Sequence, residues 1–104
     1  MHSEALKIDD AKSAAVATHP RVTLESMEAK IDADYYIQPT GTCLTICILV
    51  MKNGFYVVGE SAPAGPENFN AELGQQFARD NAIRQLWKLE GYALRDRLAA
   101  QTEN

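Results

Sequence analysis

"TCLTICILVMKNGFYVVGES", residues 42–61, decides how this chain folds. Thr42 to Lys52 is dominated by aliphatic and β-branched residues, Asn53-Gly54 is a favoured hairpin-turn pair, and Phe55 to Gly59 resumes the apolar run. The expected structure is an antiparallel hairpin about a type I′ turn, with φ > 0 at both Asn53 and Gly54. That register sets Lys52 opposite Phe55, Val50 opposite Val57 and Ile48 opposite Gly59. Side chains alternate along a strand, so Leu44, Ile46, Ile48 and Val50 share one face. Cys43, Cys47, Leu49 and Met51 share the other, with Thr45 its only polar member. A sheet with one wet face would alternate apolar with polar residues, whereas this one is apolar on both. The helices available can hardly cover both faces, and a second copy of the chain is the economical cover.

Outward from the hairpin, the pattern turns helical. Thr23 is a good N-cap, Glu25 and Glu28 suit the positive end of a helix, and Leu24, Met27 and Ile31 form a stripe. This helix is expected to end near Ala33, with a short strand over Tyr35–Ile37. Residues 1–20 read as a flexible, Ala-rich flank in which Ser3 caps a short helix through about Val16, ended by His19-Pro20. After the hairpin, a long helix begins near Asn68 or Asn70 and runs to about Ala100. Its apolar arc is Ala82, Ile83, Leu86, Trp87, Leu89, Ala93, Leu94 and Leu98, with Arg84, Lys88 and Arg95 on the other side. Glu90 falls inside that arc. Either Gly91 breaks the helix, the favoured expectation given its helix cost of about 1 kcal/mol, or Glu90 is partly buried and paired, for example with Arg97. The fold class is therefore α+β: a small antiparallel hairpin sheet packed with an N-terminal helix and a long C-terminal helix, in one domain over residues 21–100. The patterned part is small for a single core, a second reason to expect a homo-oligomer.

Composition narrows the function. The chain has 104 residues, 46% hydrophobic and 23% charged, with a net charge of −4. An acidic chain is a poor DNA or RNA binder. No basic flank precedes an apolar run of signal-peptide type, and Ile46 to Met51 is far too short to span a bilayer. A protein of the cytoplasm, without membrane contact, is expected. In a strand, Cys43 and Cys47 would stand roughly 13 Å apart, too far for a disulfide or a shared zinc ion. They read as core thiols.

Catalytic patterns are missing. Gly59-Glu60-Ser61 lacks the second glycine of a nucleophile elbow, and His2 and His19 lie in the flank. No catalytic residue, metal ligand or cofactor is assigned. The Pro/Gly-rich loop from Ser61 to Asn68 nevertheless carries nothing a core could use, and it reads as the rim of a ligand site. Phe55 and Phe69 offer stacking faces, Arg79, Arg84 and Arg95 offer planar forks for phosphate, and Ser61 offers a hydroxyl. Each has a plainer alternative: hairpin packing for Phe55, a staple on Leu73 for Phe69, a solvated face for the arginines, the turn itself for Ser61.

The stretches "ILVMKNGFYVVGESA" and "PENFNAELGQQFARDNAIRQLWKLEGYALRDRL" resemble a family of small tailed-phage proteins. The family pattern N-G-F, G-E-S-A, N-F-[DN]-x-E-[IL]-G, A-R-x-N-A and W-x-L-E-G-Y is matched through residues 49–98, and "PRVTLESMEAKI" at 20–31 resembles the family opening. Its members include the first type of phage Thoeris anti-defence protein. The resemblance implies an oligomer in the cytoplasm of the infected bacterial host that sequesters, without cleaving, the cyclic ADP-ribose isomer made by TIR-domain enzymes. It also implies separate sites for cyclic oligonucleotides. Phe55, Ser61, Phe69, Arg79 and Asn81 match family motif positions; Arg84 and Arg95 come from the helical wheel alone. The competing expectation is a protein-binding module that docks its sheet or a helix on a host protein.

Overall fold

A computed structural model of the chain describes residues 3–17 and 19–102; His2 falls outside them. The central strand β2 (Thr45–Met51) alternates as its sequence demands: Thr45, Cys47, Leu49 and Met51 are buried, and Ile46, Ile48 and Val50 are half-buried. It lies between β1 (Ile31–Ile37) and β3 (Tyr56–Ser61), antiparallel to both. With α1 (Glu4–Val16), α2 (Leu24–Glu28) and α3 (Ala71–Thr102), the architecture is α+β.

The hairpin register is one residue away from expectation. Val50 pairs with Tyr56, Leu49 with Val57, Ile48 with Val58 and Cys47 with Gly59. The loop has three residues, closed by Gly54 N–H donating to Met51 O at 2.9 Å and Met51 N–H donating to Phe55 O at 2.7 Å. Gly54 has φ 88°, and among the described residues no non-glycine residue has a positive φ, so Asn53 stays on the ordinary side. A type I turn followed by a left-handed glycine meets these constraints. Its consequence is large, because a one-residue slip moves every β3 side chain to the other face.

That slip brings Gly59 to the inner face, beneath α3. A Cβ built on Gly59 would lie 2.2 Å from Ala78 O and 2.2 Å from Ala82 N. Helix and strand therefore meet backbone to backbone, with Ala78 and Ala82 as the only side chains small enough to allow it. Around this contact the core closes from Leu24 and Met27 of α2, Cys47, Leu49 and Met51 of β2, Val57 of β3, and Ile83 and Leu86 of α3.

Two helical expectations change. The helix after Thr23 stops at Glu28 rather than near Ala33, because Ile31–Ile37 pairs with β2 along its whole length. Three apolar residues in a stripe are a weak helical signal beside a full strand pairing. The flank does contain the helix that Ser3 caps, accepting from Leu6 N–H at 3.0 Å. Leu6 of this helix is fully buried in the core. Asp10 accepts from Arg21 at 2.7 Å and from Leu24 N–H at 3.1 Å. Partial burial pushes the Asp10 carboxyl up, but these two donors and the Arg21 charge outweigh it and hold it below its usual range. Finally, α3 runs unbroken through Gly91. Glu90 does have a partner, Lys30 at 2.8 Å rather than Arg97.

No residue of α3 after Leu86 is buried; Leu89, Glu90 and Ala93 still face the hairpin tip, and the turns beyond them overhang the sheet. Replacing Gly59 with alanine should cost at least about 2 kcal/mol in urea denaturation, since the added methyl meets backbone that cannot rotate away. Gly91→Ala should instead raise stability by about 1 kcal/mol, because its Cβ points into open space within a regular helix.

Candidate functional site

The loop after β3 rims a cavity of about 240 Å³ between the end of that strand and the start of α3. Ser61, Ala62 and Pro63 form one wall, Asn68, Phe69 and Asn70 the second, and Leu73, Gly74 and Phe77 the third. Asn70 caps α3, its Oδ1 accepting from Leu73 N–H at 3.1 Å and its carbonyl from Gly74 N–H at 2.8 Å. A single 3₁₀ turn, Pro66–Asn68, delivers the chain into that cap. The Phe69 ring lies over Gly74, where a Cβ would stand 3.6 Å from its Cε1 and 2.8 Å from Thr45 Oγ1. Leu73 and Phe77 are both half-exposed and add apolar walls to the cavity. The cavity is aromatic and amide-lined, with the positive end of the α3 dipole against it. No lysine or arginine lines it.

The seven residues expected to bind ligand do not converge within one chain. Ser61 and Phe69 share the cavity just described. Asn81 and Arg84 border a separate, shallow depression beside β3: Asn81 Nδ2 donates to Glu60 O at 2.8 Å, and Arg84 donates to Asn81 Oδ1 at 3.4 Å. Arg84 also faces Asp9 of α1 at 3.7 Å. Phe55 stands at the hairpin tip, six residues and roughly 20 Å of strand from Ser61. Arg95 is exposed on the overhanging part of α3, about 16 Å along the axis from Arg84.

Arg79 is placed differently from expectation. It is only 7% exposed, and its fork is closed on Glu28 by bonds of 2.9 and 2.7 Å, with Asp34 at 3.9 Å. The hydrogen bonds to Glu28 raise its pKa against the opposing effect of burial. Tyr36 donates to Asp34 at 2.9 Å, and burial together with that bond holds its phenol protonated. Cys47 sits beneath this layer, pushed up to about 11 chiefly by burial, so its thiol stays protonated. Cys43 is half-buried and free, as Cys47 is free. The family motif residues around Arg79 are thus the seam between α3, α2 and the sheet.

The outer face of the sheet forms a three-by-three grid. Its rows are Ala33–Val50–Tyr56, Tyr35–Ile48–Val58 and Ile37–Ile46–Glu60, with Glu60 the one charged member. Tyr35 is 57% exposed and Tyr56 63%, and among the described residues no helix packs on this face. Two faces apolar by sequence have become one buried and one bare. Val58 and Phe77 had no counterpart in the sequence reading, whereas Tyr56 and Leu73 did, as a flanking aromatic and as the staple partner of Phe69. The short strand expected over Tyr35–Ile37 is the second half of β1, which begins four residues earlier, at Ile31.

The fold and site define a small α+β protein whose long helix is clamped to a three-stranded sheet, leaving a loop-rimmed cavity at one end and a bare apolar face. Residues 22–98 match the family described as phage protein (N4 Gp49/phage Sf6 gene 66), and the chain belongs to that family. No curated protein and no solved structure matches it. Among the described residues, no helix is long and apolar enough to cross a membrane.

The Arg79 arrangement has a direct test. Glu28→Ala should cost about 3 kcal/mol in chemical denaturation, because it strips the main partner from a buried guanidinium. Arg95→Ala, on the exposed overhang, should change stability by no more than about 0.5 kcal/mol.

Proposed function

We propose that this phage protein binds and sequesters a cyclic nucleotide immune signal, a cyclic ADP-ribose isomer or a cyclic oligonucleotide, without cleaving it, inside the infected bacterium. The observation that carries this reading is the meeting of Ser61 and Phe69, from two separate motif stretches, in one loop-rimmed cavity. A hydroxyl, two asparagine amides, the half-buried Phe69 ring and the exposed Phe77 ring suit a nucleoside. Phosphate needs more. The cavity has no cation of its own, and the nearby Arg79 is engaged by Glu28. The missing charge is supplied, in this reading, by Arg84 or Arg95 of a second subunit, in a homo-oligomer formed through the bare sheet face. Eight of the nine grid positions are uncharged, which suits burial against another copy.

Calorimetric titration with cyclic ADP-ribose isomers tests the reading, and the ligand should be recovered intact after the protein is denatured. A hydrolysed product would make this an enzyme. Phe69→Ala should weaken binding by about 1–3 kcal/mol through lost stacking. Ile48→Lys places a charge at the centre of the bare face. It should leave the fold intact, reduce the particle to 11.5 kDa by light scattering, and abolish binding together with assembly. A wild-type particle that is already 11.5 kDa would remove the shared-site part of the reading.

The same bare face supports a second reading, a module that docks on a host protein. In that case Ile48→Lys would abolish docking while titrations with cyclic nucleotides stay flat for the wild type as well.

A further inference from the structure

At the opposite end of the sheet from the loop, a second crevice of about 430 Å³ opens between the hairpin tip and α3. Its floor is Met51 and Leu86, both buried, and its walls are Phe55, Leu89 and Ala93, of which Phe55 is 54% exposed and Leu89 45%. Polar side chains stand only at the mouth. Lys30 and Glu90 neutralise each other there at 2.8 Å, and Asn53 Oδ1 is occupied by Phe55 N–H at 2.9 Å. Lys52 has no carboxylate within ion-pair distance among the described residues, nor does Arg97. Arg97 follows Ala93 by one helical turn on the same face, beyond the residues that line the crevice.

We propose that this crevice is a binding site for a small organic anion with an apolar, ring-sized body, distinct from the Ser61–Phe69 cavity and its ligand. The volume falls within the range of ordinary small-molecule sites, and the lining has their character: apolar walls with a few polar groups at the opening. The sign of the head group follows from charge. In a chain of net charge −4, the lining includes Lys52, which has no carboxylate partner among the described residues, while its only carboxylate, Glu90, is already paired. An anion at the mouth meets Lys52, and a hydrocarbon or aryl body lies on Met51 and Leu86. A nucleobase fits poorly, because the side chains of Phe55, Leu86, Leu89 and Ala93 are apolar and would leave most of its polar edge without partners.

The test uses the full chain and anilinonaphthalene sulfonate, a naphthyl body with one sulfonate. Amide chemical-shift mapping should place it against Met51, Phe55, Leu89 and Ala93. Lys52→Glu should weaken it by about tenfold or more, the loss expected when a charge-assisted contact is removed, and the uncharged anilinonaphthalene should bind weaker by a similar factor. Leu89→Trp, a change at a half-exposed position, should fill the crevice and block the probe with an unaltered melting curve. Shifts confined to Tyr35, Ile48 and Val58, an affinity indifferent to Lys52→Glu, or no binding at all would each overturn the proposal. A flat titration with cyclic ADP-ribose isomers bears only on the other cavity.

Discussion

The close approach of β3 and α3 at Gly59 is the constraint on which the rest of the structure depends. A backbone oxygen and a backbone nitrogen of the helix occupy the space a Cβ would need, so the helix axis is held at one height above the sheet and at one position along it. Ala78 and Ala82 fit only because they follow one another by a single turn on the same face. Ile83 and Leu86 then reach the core, Gly74 falls beside Thr45, and Asn81 reaches the Glu60 carbonyl. The cavity at Ser61 is a consequence: the loop must rise from a strand in contact with the helix and return to that helix's first turn.

Beside this contact lies a polar layer that fixes the shorter elements. Arg79 leaves α3 next to Ala78 and draws Glu28 of α2 and Asp34 of β1 toward one guanidinium. Its buried neighbour Asp80 is pushed above the ordinary carboxylate range by burial, although a hydrogen bond from Ser3 and the Arg84 and Arg79 charges oppose the shift. Small residues and ions thus alternate along α3, the first setting distance and the second setting orientation. A five-residue α2 would be marginal alone, and here it is held by its capping box, by Leu24 and Met27 in the core, and by Glu28.

Much of this was legible where a single local rule applied. The α+β class, the two-sided apolar strand and the caps at Ser3, Thr23 and Asn70 follow from side-chain period and backbone chemistry. The hairpin was legible but not its register, because Asn-Gly serves both two- and three-residue loops and the choice reverses every face of β3. Gly59 carried no sequence signal beyond weakening a strand; its role exists only once the helix lies on it. Arg79 misled for a related reason: an arginine on a helix reads as a surface fork until an acidic partner, fifty-one residues away in sequence, is seen beside it. Gly91 misled because the helix propensity of one residue is small beside the continuity of a long helix. Ser61 and Phe69 were placed together by reading the loop as a rim, whereas no sequence argument located Arg95 relative to them.

The overhang of α3 has a consequence for how stability is distributed along the chain. The helix is about 48 Å long, yet none of its residues after Leu86 is buried and its contact with the hairpin tip ends at Ala93. Beyond that point its amides are protected only by their own ladder, and isolated helical segments of this length are marginal in water. Opening there does not require the core to open. Exchange of backbone hydrogens should therefore grade along one helix, slowest near Ala82 and fastest toward Thr102, with the last turns exchanging by fraying while the first turns wait for global unfolding. One continuous element thus holds two thermodynamic regimes, and a partner docking on the free end would slow exchange there before anywhere else.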